Sequence, residues 1–238
     1  MKQTGILSML VLLALGASAQ ESPPSAEGSP AFIVFEETKS PDGRYAIAWG
    51  IKDRPDVRQY LNSVPRPEPD EFETDVENYI IDLHAQKIVA TTGAHYWGEP
   101  DYGYANYQGL EVKWSADSEI LVLLYSLRWE YGAFDAYRFV DGEVKSPMNL
   151  GHLMQVPFRQ FLMKRYGSKY RAAEDEVVFF FDKLQGQDQF RYKVNALAQK
   201  IGDKGPDPFN GKGTLEFRLT KHGVGLNLRI LGIKKQTP

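Results

Sequence analysis

Along most of this chain apolar residues recur at every second position, the period of strands with one buried and one exposed face. The stretch from Gly109 to Trp129 shows it best. Leu110, Val112 and Trp114 alternate with polar neighbours, and Ser115-Ala116-Asp117-Ser118 offers short side chains that bond nearby backbone amides in a turn. Ile120 to Leu124 is continuously apolar. That run is far too short to span a membrane and predicts a central strand buried on both faces.

The same reading extends in both directions. Upstream, Phe32 to Phe35 predicts a first strand. Ser40-Pro41-Asp42-Gly43 predicts a turn, since proline presets one φ and glycine accepts a positive one. Arg44 to Ile51 places Tyr45, Ile47 and Trp49 on one face. Asn78–Leu83 and Lys87–Thr91 predict a hairpin around His84-Ala85-Gln86. Downstream, Asp135–Val140 and Glu143–Lys145 flank Asp141-Gly142, a dipeptide favoured in tight hairpins. The order strand, Ser-x-Asp turn, strand, strand, strand thus occurs twice. Four short antiparallel strands in this order are the pattern of a propeller blade.

Ser40-Pro41-Asp42-Gly43-Arg44-Tyr45, followed by Asn78-Tyr79-Ile80-Ile81-Asp82-Leu83, resembles the WD40-like repeat of TolB-type β-propellers. Trp114-Ser115-Ala116-Asp117-Ser118 is similar to a worn second copy. The resemblance spans roughly Ala31 to Met148 and extends to secreted bacterial proteins with only a few blade-like units. It implies a scaffold that serves many activities. Two or three blades do not close a ring that usually needs at least four, so the expectation is an incomplete propeller or stacked sheets, or a ring completed by oligomerisation.

The C-terminal part reads differently. Pro157 to Tyr166 predicts a helix, with Pro157 in its first turn, Phe158, Phe161, Leu162 and Tyr166 on one face, and Gly167 ending it. His152 then precedes the helix. Glu176 to Asp182 admits helical spacing through Val177, Phe180, Phe181 and Leu184, but its β-branched and aromatic run favours a strand. Phe190, Tyr192 and Val194 alternate as a further strand. Gly202 to Gly213 reads as a loop, and Leu215–Leu219 and Val224–Ile230 as a hairpin turning at Lys221-His222-Gly223. The expected fold is mainly β, with blade-like antiparallel meanders and one short helix. Residues 31–150 form two blade-like units and 151–233 a helix plus meander, in one continuous domain with a soft boundary near Gly151.

With 238 residues, 42% hydrophobic and 13% aromatic, the chain can bury a sizeable core. Its first residues change the picture of where it works. Lys2, the apolar run Ile6–Leu15 and Ala17-Ser18-Ala19 have the three parts of a signal peptide over 1–19, cleaved before Gln20. Residues 20–30, rich in Ser, Pro, Glu and Gly, read as a flexible leader. The expectation is an exported protein, periplasmic or extracellular, with no membrane insertion of the mature chain. The absence of cysteine excludes disulfides and a cysteine nucleophile. The formal charge is -3, without the basic excess that nucleic-acid binding favours, so no nucleic-acid partner is expected.

Candidate chemistry is sparse. No nucleophile elbow, metalloprotease helix or phosphate-binding glycine loop occurs, and no cofactor or metal is expected. Lys52 to Val76 is a proline-interrupted polar insertion whose run Asp70, Glu71, Glu73, Asp75 and Glu77 lacks the glycine-centred spacing of a calcium loop. His84, His152 and His222 fit ordinary polar positions. The loop Gly93 to Gln108 is the best candidate, since it gathers His95, Tyr96, Trp97, Tyr102, Tyr104 and Tyr107 with Glu99 and Asp101. Exposed aromatic rings suit a sugar or protein partner. The other reading of the loop folds these rings back as a plug over the open end of the sheets. Two functions follow: a non-catalytic binding or scaffolding module for a glycan or protein, and alternatively a carboxylate-dependent hydrolase using the loop around residues 95–107.

Overall fold

Three four-stranded antiparallel meanders follow one another in chain order. The first sheet is β1 (Ile33–Val34), β2 (Tyr45–Ile51), β3 (Val76–Asp82) and β4 (Lys87–Thr91). The second is β5 (Gly109–Trp114), β6 (Ile120–Ser126), β7 (Tyr131–Val140) and β8 (Glu143–Val144), with β9 (Met148–Asn149) also paired to β7. The third is β10 (Val177–Gly186), β11 (Arg191–Lys200), β12 (Asn210–His222) and β13 (Gly225–Lys235). Helix α1 (Leu150–Tyr166) and the short α2 (Ser168–Arg171) lie between the second and third sheets in the chain. The computed structural model describes residues 32–52, 57, 75–97, 108–127, 131–171, 177–188, 190–200 and 210–235. The expected signal peptide, the leader and most of the polar insertion lie outside the described residues.

The sheets stack, and the run Ile120–Leu124 explains why. Its five side chains are all fully buried. Strand side chains alternate faces. Leu121 and Leu123, with Tyr125, pack toward Ile47, Trp49 and Ile80 of the first sheet. Ile120, Val122 and Leu124 pack toward Phe179, Phe181, Tyr192 and Phe217 of the third sheet and toward Met154, Phe158 and Leu162 of α1. A sheet buried on both faces needs apolar residues at every position. The first sheet shares this pattern, since β2 is buried along its whole length and Ala46, Ala48, Tyr79 and Ile81 form a further buried cluster on its other face. A sheet with one solvent face needs them only at alternate positions. Strands β10 to β13 show that second pattern, with the residues between the buried ones more exposed.

The two Ser-x-Asp turns are hydrogen-bonded in the same way, 75 residues apart. Ser40 Oγ donates to Asp42 Oδ1 at 2.6 Å, and Ser115 Oγ donates to Asp117 Oδ1 at 2.6 Å. The Tyr45 and Ile120 amides each donate to the serine Oγ five residues earlier, both at 2.9 Å. Gly43 (φ 70°) and Ser118 (φ 59°) occupy the same left-handed position. The turns also touch, for the Asp42 amide donates to Ser118 Oγ at 3.1 Å and Trp114 Nε1 donates to the Thr38 carbonyl at 2.8 Å. The worn copy of the motif therefore keeps the bonding of the fuller one.

Three expectations are corrected. Helix α1 begins at Leu150, not Pro157, so Pro157 sits in its interior and His152 in its first turn. Asn149 starts it early: its side-chain oxygen accepts the His152 amide at 2.7 Å, satisfying an otherwise orphaned helix donor. Gly167 (φ 55°) ends it as expected, with its amide donating to the Met163 carbonyl at 2.9 Å. Asn210–Gly213 belongs to β12 and not to a loop. His222 is the last residue of β12, and the reversal falls on Gly223 and Val224. Replacing Asn149 with Ala is expected to cost about 1 kcal/mol of stability, measured by urea denaturation.

Candidate functional site

The predicted aromatic loop leaves the first sheet just after β4, and its first residues are bolted down by Asn78 of β3. Asn78 is fully buried. Its Oδ1 accepts the Tyr96 amide at 2.6 Å and its Nδ2 donates to the Tyr96 carbonyl at 2.8 Å. Its backbone pairs with Ala94 and Thr92. A buried amide group needs partners for both its ends, and this stretch of loop supplies them.

The clamp presents each predicted residue differently. His95 is exposed, with Nδ1 2.6 Å from the Val76 carbonyl oxygen, a contact that holds the ring. Tyr96 is half-buried against Phe35, ring centroids 5.4 Å apart, and burial pushes its phenol pKa up. Trp97 is 1% exposed and lies in the core between the first two sheets, where it anchors the chain. Glu99, Asp101, Tyr102, Tyr104 and Tyr107 lie outside the described residues.

A carboxylate that sequence reasoning passed over lies under this loop. Asp135 stands on β7 opposite Leu123, on the face turned to the first sheet. A Cβ placed on Gly93 would meet Asp135 Oδ2 at 3.9 Å and Ala133 Cβ at 3.5 Å, so the loop's first residue lies directly over this part of the strand. Desolvation pushes the Asp135 carboxyl from its ordinary 3.8 up to about 6. Its neighbour Tyr137 is buried, its phenol pKa raised by burial first and by the Asp135 charge second, and its oxygen is bonded to the Gly93 backbone. In the sequence Asp135 looked like one more polar residue of an alternating strand. Its interruption of the apolar set Ala133, Tyr137 and Phe139 was the signal available.

Two further concavities open elsewhere. A polar crevice of about 310 Å³ lies where the twin turns meet the Asp141-Gly142 hairpin, with Asp42, Arg44, Asp117, Glu119 and Arg138 on its walls. Asp42 and Asp117 hold their own turns, and Arg44 is bonded through Nε and Nη2 to the buried Asp82, both at 3.0 Å. A groove of about 390 Å³ runs between the start of α1 and the β12–β13 hairpin, past Met148, His152, Leu153 and Leu226. Among the described residues, no group of three or more His, Asp or Glu side chains is placed to hold a metal ion. No described helix is long and apolar enough to cross a membrane. In comparisons with known proteins, the chain matched no protein-family model and no curated protein.

Proposed function

We propose that this chain is an exported, non-catalytic binding module for a glycan or protein partner, with its contact surface at the start of the aromatic loop. The observation that carries the reading is the Asn78 clamp, which holds the loop backbone at both sides of Tyr96 and so presents His95 and Tyr96 on a rigid base. Side chains held before a ligand arrives lose less entropy on binding it. Export rests on Lys2, the Ile6–Leu15 run and Ala17-Ser18-Ala19. The matching bonding of the two Ser-x-Asp turns supports reading the first two sheets as blade-like repeats of the TolB kind.

A thermal-shift screen of the chain from Gln20 against soluble glycans tests the proposal. A ligand at about 100 times its dissociation constant adds about 2.7 kcal/mol. The shift is expected to vanish in the His95→Ala/Tyr96→Ala double variant. A shift that survives this change places the site elsewhere.

One observation favours the second reading, a carboxylate-dependent hydrolase. An acid whose pKa is raised to about 6 can donate a proton near neutral pH, and Asp135 is such an acid beneath the loop that carries Glu99 and Asp101. Turnover of a chromogenic glycoside that Asp135→Asn abolishes would favour it over the binding module.

A further inference from the structure

The overall charge conceals a strongly basic face on the third sheet. Strand register sets Arg191 of β11 opposite Arg218 of β12, and Arg218 opposite Arg229 of β13. Their sequence neighbours Tyr192, Phe217, Leu219, Leu228 and Ile230 belong to the core side, so the three arginines share the outer face. Neighbouring strands lie about 4.8 Å apart, and the row therefore spans about 10 Å across the sheet. Along the strands the same face carries Lys193, Lys212 and Lys234. Two carboxylates answer these six cations among the described residues. Asp188 Oδ2 lies 3.5 Å from Arg191 Nε, and Glu216 Oε1 lies 3.0 Å from Lys234 Nζ and 3.6 Å from Lys193 Nζ. Arg218 Nε is buried with no hydrogen-bond partner among the described residues.

Like charges placed directly opposite one another destabilise a sheet. Asp188 offsets part of this charge through Arg191, and the remaining excess on the row favours an anion supplied from outside the chain. Arginine forks suit planar oxyanions such as carboxylate and sulfate, which they bind through paired hydrogen bonds. The neighbours of the row narrow the choice of polyanion. Thr220 and Asn227 stand next to the row on one side, and on the other Asn195 and Thr214 stand side by side beyond Lys193 and Glu216. These groups bond hydroxyls. No Phe, Tyr or Trp ring stands in the row or its flanks on β11 to β13, and the exposed His222 at the end of β12 is a poor platform for successive stacked bases. Near the row Leu231, two residues past Arg229, is 39% exposed, and a single such side chain is little apolar surface to enter a lipid layer.

We propose that the outer face of the third sheet, centred on Arg191, Arg218 and Arg229, binds a linear acidic polysaccharide laid across the strands, with its carboxylate or sulfate groups on the arginine row and its hydroxyls on the flanking Asn and Thr. The site lies on the far side of the stack from His95 and Tyr96, and it stands or falls separately from the aromatic loop.

The test measures affinity of the chain from Gln20 for heparin and for polygalacturonate. Duplex DNA and phosphatidylserine vesicles serve as competing polyanions, across a salt series. Binding to at least one polysaccharide, weakening as salt rises, is the expected result. Arg218→Gln is expected to lower that affinity about tenfold, and Arg218→Lys to recover only part of it. Arg218→Gln is also expected to leave the melting temperature unchanged or raise it, since it relieves repulsion within the row. His95→Ala/Tyr96→Ala should leave polysaccharide affinity as it was. Absence of binding to both polysaccharides at low salt overturns the proposal, as does equal affinity in a folded Arg191→Gln/Arg218→Gln/Arg229→Gln variant. Tighter binding of DNA or vesicles than of either polysaccharide overturns it too.

Discussion

Replacing Phe217 with Ala is expected to lower the stability of the chain by about 3–5 kcal/mol. Phe217 is fully buried on β12, and its ring stacks on Tyr192 with centroids 5.3 Å apart. It also meets Phe134 of the second sheet edge-on at 6.3 Å, so it joins two layers. Truncation removes the transfer free energy of a large ring and leaves a hole in a packed interior that closes only in part. A loss of this size is a large share of the 5–15 kcal/mol typical of a folded protein. Urea denaturation measures it as a fall in midpoint. A loss below about 1 kcal/mol would mean that the second and third sheets do not share a packed core through this ring.

Replacing Asp135 with Asn is expected to stabilise the chain at pH 7 and to leave it nearly unchanged at pH 4. The Asp135 carboxyl holds its proton more tightly in the folded chain, with a pKa of about 6 against an ordinary 3.8. Its stabilising contribution is complete below about pH 4 and is lost as pH rises through about 6. The shift corresponds to about 3 kcal/mol at most. Because part of the group reaches solvent, about 1–2 kcal/mol is the expected gain. Asp42, Asp82 and Asp117 slope the other way. Their pKa values are lowered by hydrogen bonds and ion pairs that outweigh desolvation, so their contribution is lost as pH falls. The difference between parent and variant, measured from pH 4 to 8, cancels them and isolates Asp135. A difference that does not change with pH would show that its carboxyl titrates alike in the folded and unfolded chain.

The layers were legible because each strand needs a particular pattern of burial. Alternation marked the strands of the third sheet, and the unbroken run Ile120–Leu124 marked the middle one. Asp141-Gly142 marked its turn because both residues adopt positive φ, 52° and 81°. Local chemistry misled where a short signal competed with a stronger one. Pro157 looked like the start of a helix, but the Asn149 cap, with a glycine two residues on, began it a full two turns earlier. The site was less legible, since it depends on register. Nothing in the spacing of Asn78 and Tyr96 announces that one clamps the other. The arginine row is spread over 39 positions and dissolves in a chain whose net charge is acidic. Only pairing β11, β12 and β13 brings it together.

The order of the layers in space is the order of their residues in the chain, and this bears on how the protein is made. Every strand pairing joins strands close in sequence. Local pairings form quickly because little loop entropy is lost in closing them. Synthesis releases the first sheet complete, then the second, and the third last. Until β10 to β13 emerge, the face of the second sheet bearing Ile120, Val122, Leu124 and Phe134 has only α1 of its own chain to cover it. An exposed strand of this composition is an aggregation hazard. The newly made chain therefore passes through a period in which its central apolar strand depends on chaperoning or on the speed of its own completion.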